Sequence, residues 1–299
     1  MIDAHGAFRR SMRLFRKKEL YMLDAKAYYN RLLKYRDEIK KKIDFEPEVA
    51  IVLGSGLGDF AKNIQVEAVL DYGELEGFPV STAPGHSGQF IFGTLEGVKV
   101  VCMKGRIHYY EGYDMSEVVL PLRLMYLLGA RTVIITNAVG CMNENFGIGS
   151  FMVVKDCIAS FVPSPLIGPN IDELGPRFPD MSEIYDKELI DKALEIGKKN
   201  DIEVHDGVFI QLTGPQYETA SEIRMYKALG ADCCGMSSGV EAIAANHMGM
   251  KVCGISCITN MSTGISKTKL SGEEVIEIAN KVSGNFEKLV SELVREIKK

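Results

Sequence analysis

Nowhere in these 299 residues does an apolar run approach the eighteen or so side chains that a membrane span needs. Nor is there an excess of basic charge. Lys and Arg number 35 against 40 Asp and Glu, a net charge of −5, which argues against general nucleic-acid binding. No Pro/Ser/Gly-rich or charged linker divides the middle, so one large domain is expected. The H-E-x-x-H and paired-carboxylate patterns are missing, which argues against metal-assisted hydrolysis. The seven cysteines are an odd number, and most sit in apolar runs: Cys102, Cys233, Cys234, Cys253 and Cys257. Buried thiols in a reducing cytosol account for them better than disulfides. Cys253 and Cys257 lack the His or second Cys pair that a metal site would add. What remains, 46% hydrophobic and 25% charged, is ordinary globular composition.

Basic charge does gather at the start, where "RRSMRLFRKK" (Arg9 to Lys18) holds six basic residues in ten. It has no continuous apolar core, so it is not a secretory signal, although a membrane-surface or targeting segment would have this charge. We read residues 1–21 as a disordered basic tail, or as sequence preceding a start near Met22, and residues 22–299 as the single domain.

Past the tail, the spacing of Tyr28, Leu32, Leu33, Tyr35 and Ile39 predicts a helix over Ala25 to Ile43. β-Branched runs follow at Val49–Leu53, Phe90–Leu95, Val98–Met103, Thr132–Thr136, Phe151–Val154, Val208–Leu212 and Val252–Thr259. Helical stretches lie between several of them. "MSEVVLPLRLMYLLGA" and "ETASEIRMYKALGA" each end at a Gly suited to a helix C-cap. A last helix from about Glu273 carries Val275, Ala279, Val282, Phe286, Leu289, Leu293 and Ile297 on one stripe, the pattern of core packing. Strands alternating with helices predict an α/β fold, a twisted and largely parallel sheet with helices on both faces.

In such sheets ligands collect at the loops leaving the strand ends, and those loops are unusually polar and glycine-rich. "IVLGSGLGDF" (Ile51 to Phe60) runs from a strand into three alternating glycines. It fits neither the dinucleotide fingerprint, since Gly58 arrives one residue early, nor the triphosphate loop, since no Lys follows Gly58. A bare turn of this kind brings backbone N–H groups close to an anion, and Ser55 adds a hydroxyl. Arg106 and His108 alternate on an extended stretch and so face one side, the first offering a rigid fork and the second a short-reach donor. His86 in "PGHSGQ" and Ser237 in "GMSSG" extend the donor set. Taken singly, Ser55 could be a plain tight turn and His86 a structural histidine. Together they suit a compact oxyanion. Ser55 does not sit in a G-x-S-x-G elbow, and with this many donors gathered, phosphate as a reactant fits better than covalent catalysis. A second group suits a flat heterocycle: Tyr217 to stack, Glu218 to accept from a ring N–H, and Asn260 to donate and accept. Singly, Glu218 could be an acid near a helix N-terminus and Asn260 a turn tie.

These loops, in this order, resemble the trimeric purine nucleoside phosphorylases over about residues 25–299. The resemblance rests on "GSGLG", "PGHSGQ", "GRIHYYEGY", "TNAVG", "GPNIDELGPRFPDMS", "GPQYETASEIRMYKALGAD", "GMSSGVEAIAANHMGM" and "ITNMSTGIS". It implies the nucleoside-phosphorylase fold with a mixed sheet, a homotrimer, and purine salvage in the cytoplasm. The reaction implied is reversible cleavage of inosine, guanosine and their deoxy forms by inorganic phosphate, giving the free base and (deoxy)ribose 1-phosphate. No cofactor or metal is implied. Carried over loop by loop, Ser55, His86, Arg106, His108, the Ala138 amide and Ser237 would bind phosphate. Tyr110 and Met236 would border the ribose, and Tyr217, Glu218 and Asn260 would hold the purine. Glu218, Asn260 and His108 would be the catalytic residues, and Phe161 would reach the ribose pocket of a neighbouring subunit. An Asn in place of the Asp of the related methylthioadenosine phosphorylases points to guanine and hypoxanthine nucleosides.

Three departures from that pattern stand out. Gly272 occupies the place of a His that reaches the ribose 5′-hydroxyl, which keeps open a phosphorylase for 5′-modified nucleosides such as methylthioadenosine. Cys157 and Ala159 replace a His and an Asn. Gly239-Val240 replaces a common Val-Pro pair, a change expected to soften its loop. A nucleoside-binding homologue without catalysis is the remaining rival, distinguished by turnover that needs phosphate.

Overall fold

The computed structural model of the chain describes residues 24–83 and 87–297. The basic tail and His86 lie outside the described residues. Among the described residues nine strands are formed: β1 (Val49–Leu53), β2 (Gln65–Asp71), β3 (Gln89–Leu95), β4 (Val98–Lys104), β5 (Thr132–Cys141), β6 (Phe151–Ile158), β7 (Val204–Gln211), β8 (Cys233–Gly235) and β9 (Lys251–Met261). Eight α-helices accompany them: α1 (Ala25–Lys42), α2 (Met115–Val118), α3 (Leu120–Leu128), α4 (Lys187–Lys199), α5 (Ala220–Ala228), α6 (Gly239–His247), α7 (Gly272–Lys281) and α8 (Ser283–Ile297).

β1 is buried at every position, as a strand covered on both faces must be. Its alternate residues feed two cores. Ala50 and Val52 pack with α1, α3 and α6, whereas Val49, Ile51 and Leu53 pack with α4 and α8. The strand order is β2-β3-β4-β1-β5-β8-β7-β6-β9, and β5 also pairs with β9, so the second half of the sheet closes into a ring.

The sheet is mixed, not largely parallel. β1–β4, β1–β5, β5–β9, β6–β7 and β7–β8 are parallel, and the other four pairs are antiparallel. One cause is local. Glu96 and Gly97 both take positive φ, 52° and 77°, the turn that folds β3 directly back on β4 as a hairpin. The sequence reading missed β2, an edge strand exposed at most positions, and β8, only three residues long. The last predicted helix is two. Val282-Ser283-Gly284 is a run of weak helix formers, and the chain breaks there between α7 and α8, although Ala279, Phe286, Leu289 and Leu293 are buried as the stripe requires.

Helix starts follow their caps. Asp24 accepts from the Ala27 N–H at 3.0 Å to begin α1, and Thr219 with Glu222 makes a reciprocal capping box that begins α5. That box leaves Glu218 just ahead of the helix. The parallel strands β1, β4, β5 and β9 point the same way, so the loops leaving them meet at one edge of the sheet. Among the described residues no helix is long and apolar enough to cross a membrane, and no group of three or more His, Cys, Asp or Glu could hold a metal ion.

Candidate active site

At that edge lies a cavity of about 480 Å³. Its donor-rich wall begins with the glycine turn after β1. A Cβ on Gly54 would lie 2.6 Å from the Cα of Asn137 and 2.8 Å from the Thr136 carbonyl oxygen, so only Gly lets β1 and β5 approach this closely. Gly56 takes φ +73°, and α7 packs directly on it. Ser55, held between them, lines the cavity. Gly54 N–H donates to the Thr136 hydroxyl at 3.2 Å, and that hydroxyl donates to the Val52 carbonyl at 2.8 Å.

Arg106 is 1% exposed and pairs with Glu241, also 1% exposed, through Nε at 3.0 Å. Its Nη1 donates to Ser237 Oγ and its Nη2 to the Thr136 carbonyl, both at 2.9 Å. Glu241 also accepts from the Ser238 N–H at 3.0 Å, so the guanidinium is fixed by the first turn of α6 on one side and β5 on the other. His108 Nδ1 lies 3.0 Å from Glu111, whose carboxylate also accepts the His108 backbone N–H at 2.8 Å. Burial acts to raise the Glu111 carboxyl, but hydrogen bonds from His108 and Thr82 hold it down at about 2. Glu111 thus anchors the ring at Nδ1. Tyr110 stacks on it with centroids 4.8 Å apart.

The opposite end is built from α5's approach, β8 and β9. Asn260, near the end of β9, is buried; its Oδ1 accepts from Thr259 at 3.0 Å and its Nδ2 donates to the Met261 carbonyl at 3.2 Å. A Cβ on Gly140 would come within 3.2 Å of Asn260 Nδ2, so that glycine makes room for the amide. Cys234 donates to Glu218 Oε2 at 3.7 Å and lies 3.5 Å from the Ser262 hydroxyl. Burial raises the Glu218 carboxyl above its ordinary value, opposed by its own backbone amide and the Cys234 thiol. Between the two ends, Gly214 at φ +66° lets Met236 and Tyr110 close over it, since a Cβ there would strike Met236 Sδ at 2.4 Å.

Ser55, Arg106, His108, Tyr110, Ala138, Tyr217, Glu218, Met236, Ser237 and Asn260 thus line one cavity, and so does Gly272. Phe161 does not. It sits edge-on to Tyr226 beside a smaller hollow that shares Glu218 with the main cavity. Gly239-Val240 leaves no soft loop here, because it forms the first turn of α6 and the Val240 N–H donates to Gln211 Oε1 at 2.8 Å. Sequence reasoning missed Glu111, Glu241, Asn137, Gly140 and Cys234. Only Glu241 carried a signal, as the last residue of the S-x-x-E capping pattern Ser238 to Glu241.

An α/β fold with a cluster of hydrogen-bond donors and the pair Glu218 and Asn260 in one cavity suits an enzyme that brings an anion to a second substrate. A family profile described as the phosphorylase superfamily matches residues 48–295. The chain is 46% identical to purine nucleoside phosphorylase 1 of Bacillus subtilis over 86% of its length and 95% of that protein. It is 39% identical to the purine nucleoside phosphorylase of Mus musculus over 85% of its length and 90% of that protein. The crystal structure of Schistosoma mansoni purine nucleoside phosphorylase in complex with inosine superposes with a TM-score of 0.86 at 34% identity, covering 90% of this chain and 97% of that one. The complex of the Schistosoma enzyme with adenosine matches equally, at TM-score 0.86 and 35% identity, over 90% of this chain and 98% of that one. The chain belongs to the phosphorylase superfamily, among its purine nucleoside phosphorylases.

Proposed function

We propose that the protein cleaves inosine, guanosine and their deoxy forms with inorganic phosphate, in purine salvage. The observation that supports this most is the single cavity with Ser55, Arg106, His108 and Ser237 on one wall and Glu218 and Asn260 on the other. In this reading phosphate rests against Ser55, Arg106, His108 Nε2, the Ala138 amide and Ser237, with His86 as a further donor from the loop outside the described residues. Tyr110 and Met236 border the ribose, and Tyr217 stacks on the purine.

Cleavage of the glycosidic bond builds positive character on the sugar and negative charge on the leaving base. Glu218 holds the purine at its N1–H, while Asn260 donates to N7, where the departing charge gathers. Phosphate beneath the sugar stabilises the cation and then attacks the anomeric carbon. Aligning both reactants is worth up to about 7–11 kcal/mol. The reaction as written calls on no metal or cofactor. A nucleoside panel with and without phosphate tests it: hypoxanthine release from inosine should require phosphate, and binding without phosphate-dependent turnover would favour a non-catalytic homologue.

Asn260 sets the preference for 6-oxopurines in this reading. Asn260→Asp should gain activity on adenosine by about tenfold or more, since a charged acceptor replaces a group that can donate or accept. An unchanged base preference across the panel would remove Asn260 from the purine site.

Gly272 favours a second reading. It lines the cavity, and nothing lies within 4 Å of a Cβ built on it, so the wall is open where α7 begins. That room suits a nucleoside with an enlarged 5′ group. Gly272→His should lower the KM for inosine several-fold, as one added hydrogen bond would, and should penalise methylthio-nucleosides. An unmoved inosine KM counts against a 5′ subsite here.

We also infer a cytosolic homotrimer. Phe161, Ile167 and Phe178, at 40%, 70% and 88% exposure, all lie on the connection between β6 and α4. Such an exposed apolar set suits a partner subunit, with Phe161 the side chain lent to the neighbouring ribose pocket.

A further inference from the structure

The donor-rich wall holds a side chain with no assigned task. Asn137 is 4% exposed and lines the cavity, yet among the described residues its Oδ1 has no hydrogen-bond partner. Its two chain neighbours both belong to that wall: the Thr136 carbonyl accepts from Arg106, and Ala138 lines the cavity. Its neighbour across the ladder in β9 is Ser256, whose hydroxyl is also buried and without a partner. The backbone there cannot retreat, because β1 and β5 touch at Gly54 and Asn137. A buried amide left unpaired in a packed sheet is costly unless something else completes it.

The rest of the wall gives protons. Arg106 has donors only, and Ser237 Oγ already accepts from Arg106. Oδ1 is the buried end of this amide, and a turn about χ2, which no hydrogen bond among the described residues opposes, brings it to a ligand. We propose that Asn137 accepts the P–OH hydrogen of the bound phosphate, and so selects a protonated oxyanion over one that carries no proton. At neutral pH inorganic phosphate carries at least one such hydrogen, whereas sulfate and monofluorophosphate carry none. In a water-poor cavity a P–OH without an acceptor forfeits a hydrogen bond, and a bare anionic oxygen set against a carbonyl oxygen is repelled. The inference rests on reading Ser55, Arg106, His108 and Ser237 as phosphate ligands.

The test is inosine phosphorolysis at neutral pH, with KM for phosphate and Ki for sulfate and for monofluorophosphate measured in the wild type, Asn137→Ala and Asn137→Leu. The wild type should show both Ki values well above the phosphate KM. In the variants the phosphate KM should rise by roughly ten- to a hundredfold, the worth of one buried hydrogen bond. Both Ki values should stay within about threefold, so the discrimination collapses. A KM and two Ki values that rise together would mark Asn137 as structural only, and values that all stay put would remove it from the site. The wild-type comparison needs no variant to fold: a monofluorophosphate Ki at or below the phosphate KM overturns the proposal by itself. Absence of any phosphate-dependent turnover would instead overturn the underlying reading of the wall.

Discussion

Replacing Arg106 by Ala is expected to cut kcat/KM for phosphate by at least about 10²–10³-fold, the usual loss when one anion donor is removed. The same change should lower the thermal midpoint, and the two losses have different physical origins. Arg106 orders Ser237 through Nη1 and borders the cavity, so its removal weakens the phosphate wall twice. It also balances Glu241, which is 1% exposed and would be left charged in the core against the Ser238 N–H. Removing one partner of a buried pair costs about 3–5 kcal/mol. Adding Glu241→Gln to Arg106→Ala should therefore restore much of the lost stability, without restoring phosphate affinity. Arg106→Lys should keep the charge but lose the fork that reaches Glu241, Ser237 and Thr136 together. Thermal unfolding and initial rates separate the two effects. A single Arg106→Ala variant with an unaltered phosphate KM would end the assignment of this wall to phosphate.

The candidate site residues were legible in sequence because each sits where an apolar strand gives way to glycine and polar residues. Such a loop has no packing reason for its composition, so Ser55, Arg106, His108, Ser237, Glu218 and Asn260 stood out as a set, though not one by one. The structure places all six around one cavity. The groups that orient them were not legible. Arg106 and Glu241 are 135 residues apart, and Glu241 looks like an ordinary helix-capping acid until the fold brings it under the guanidinium. Glu111 likewise looks like a surface acid after "HYY", and only burial with hydrogen bonds from His108 and Thr82 reveals its charge. Gly140 and Gly54 appear as loop punctuation, although both mark contacts between backbones or side chains that a Cβ would block.

The fold was legible where burial imposes a pattern and illegible where it does not. α1 buries Tyr28, Leu32, Tyr35 and Ile39 on the predicted face, and β1, β3, β4 and β9 fall on apolar runs long enough to recognise. β2 lies at the edge with little of its surface covered, so no alternation is imposed on it. β8 is three residues long and pairs with β5 only through Cys233 and Cys234. Its existence depends on the closure of the ring, a long-range event with no local trace. Strand direction was hidden for the same reason, except at Glu96-Gly97, where a two-residue turn dictates a hairpin.

Glu218→Gln should lower kcat/KM for inosine by about 10²–10³-fold while making the empty protein more stable at neutral pH. The sign follows from burial, which raises the Glu218 carboxyl in the fold above its ordinary value. A group whose folded value is raised binds protons more readily when folded, so stability is highest below the unfolded value and declines as pH rises through the folded one. At neutral pH the charged form therefore costs stability, and an uncharged isostere recovers it. Function requires the opposite form. A purine N1–H needs an acceptor, so kcat/KM should fall as pH drops through the raised value, giving an acid limb above the ordinary carboxylate range that Glu218→Gln abolishes. The titratable groups that face Glu218 are Cys234, Glu222, Tyr217 and Tyr226. Of these, only the Cys234 thiol donates to it, at 3.7 Å, so Cys234→Val should move the same limb to higher pH and Cys234→Ser should return it. Thermal unfolding of the ligand-free variant with a pH profile of kcat/KM measures both halves. A variant that loses stability as well as activity would mean that Glu218 is held for packing, not for the base.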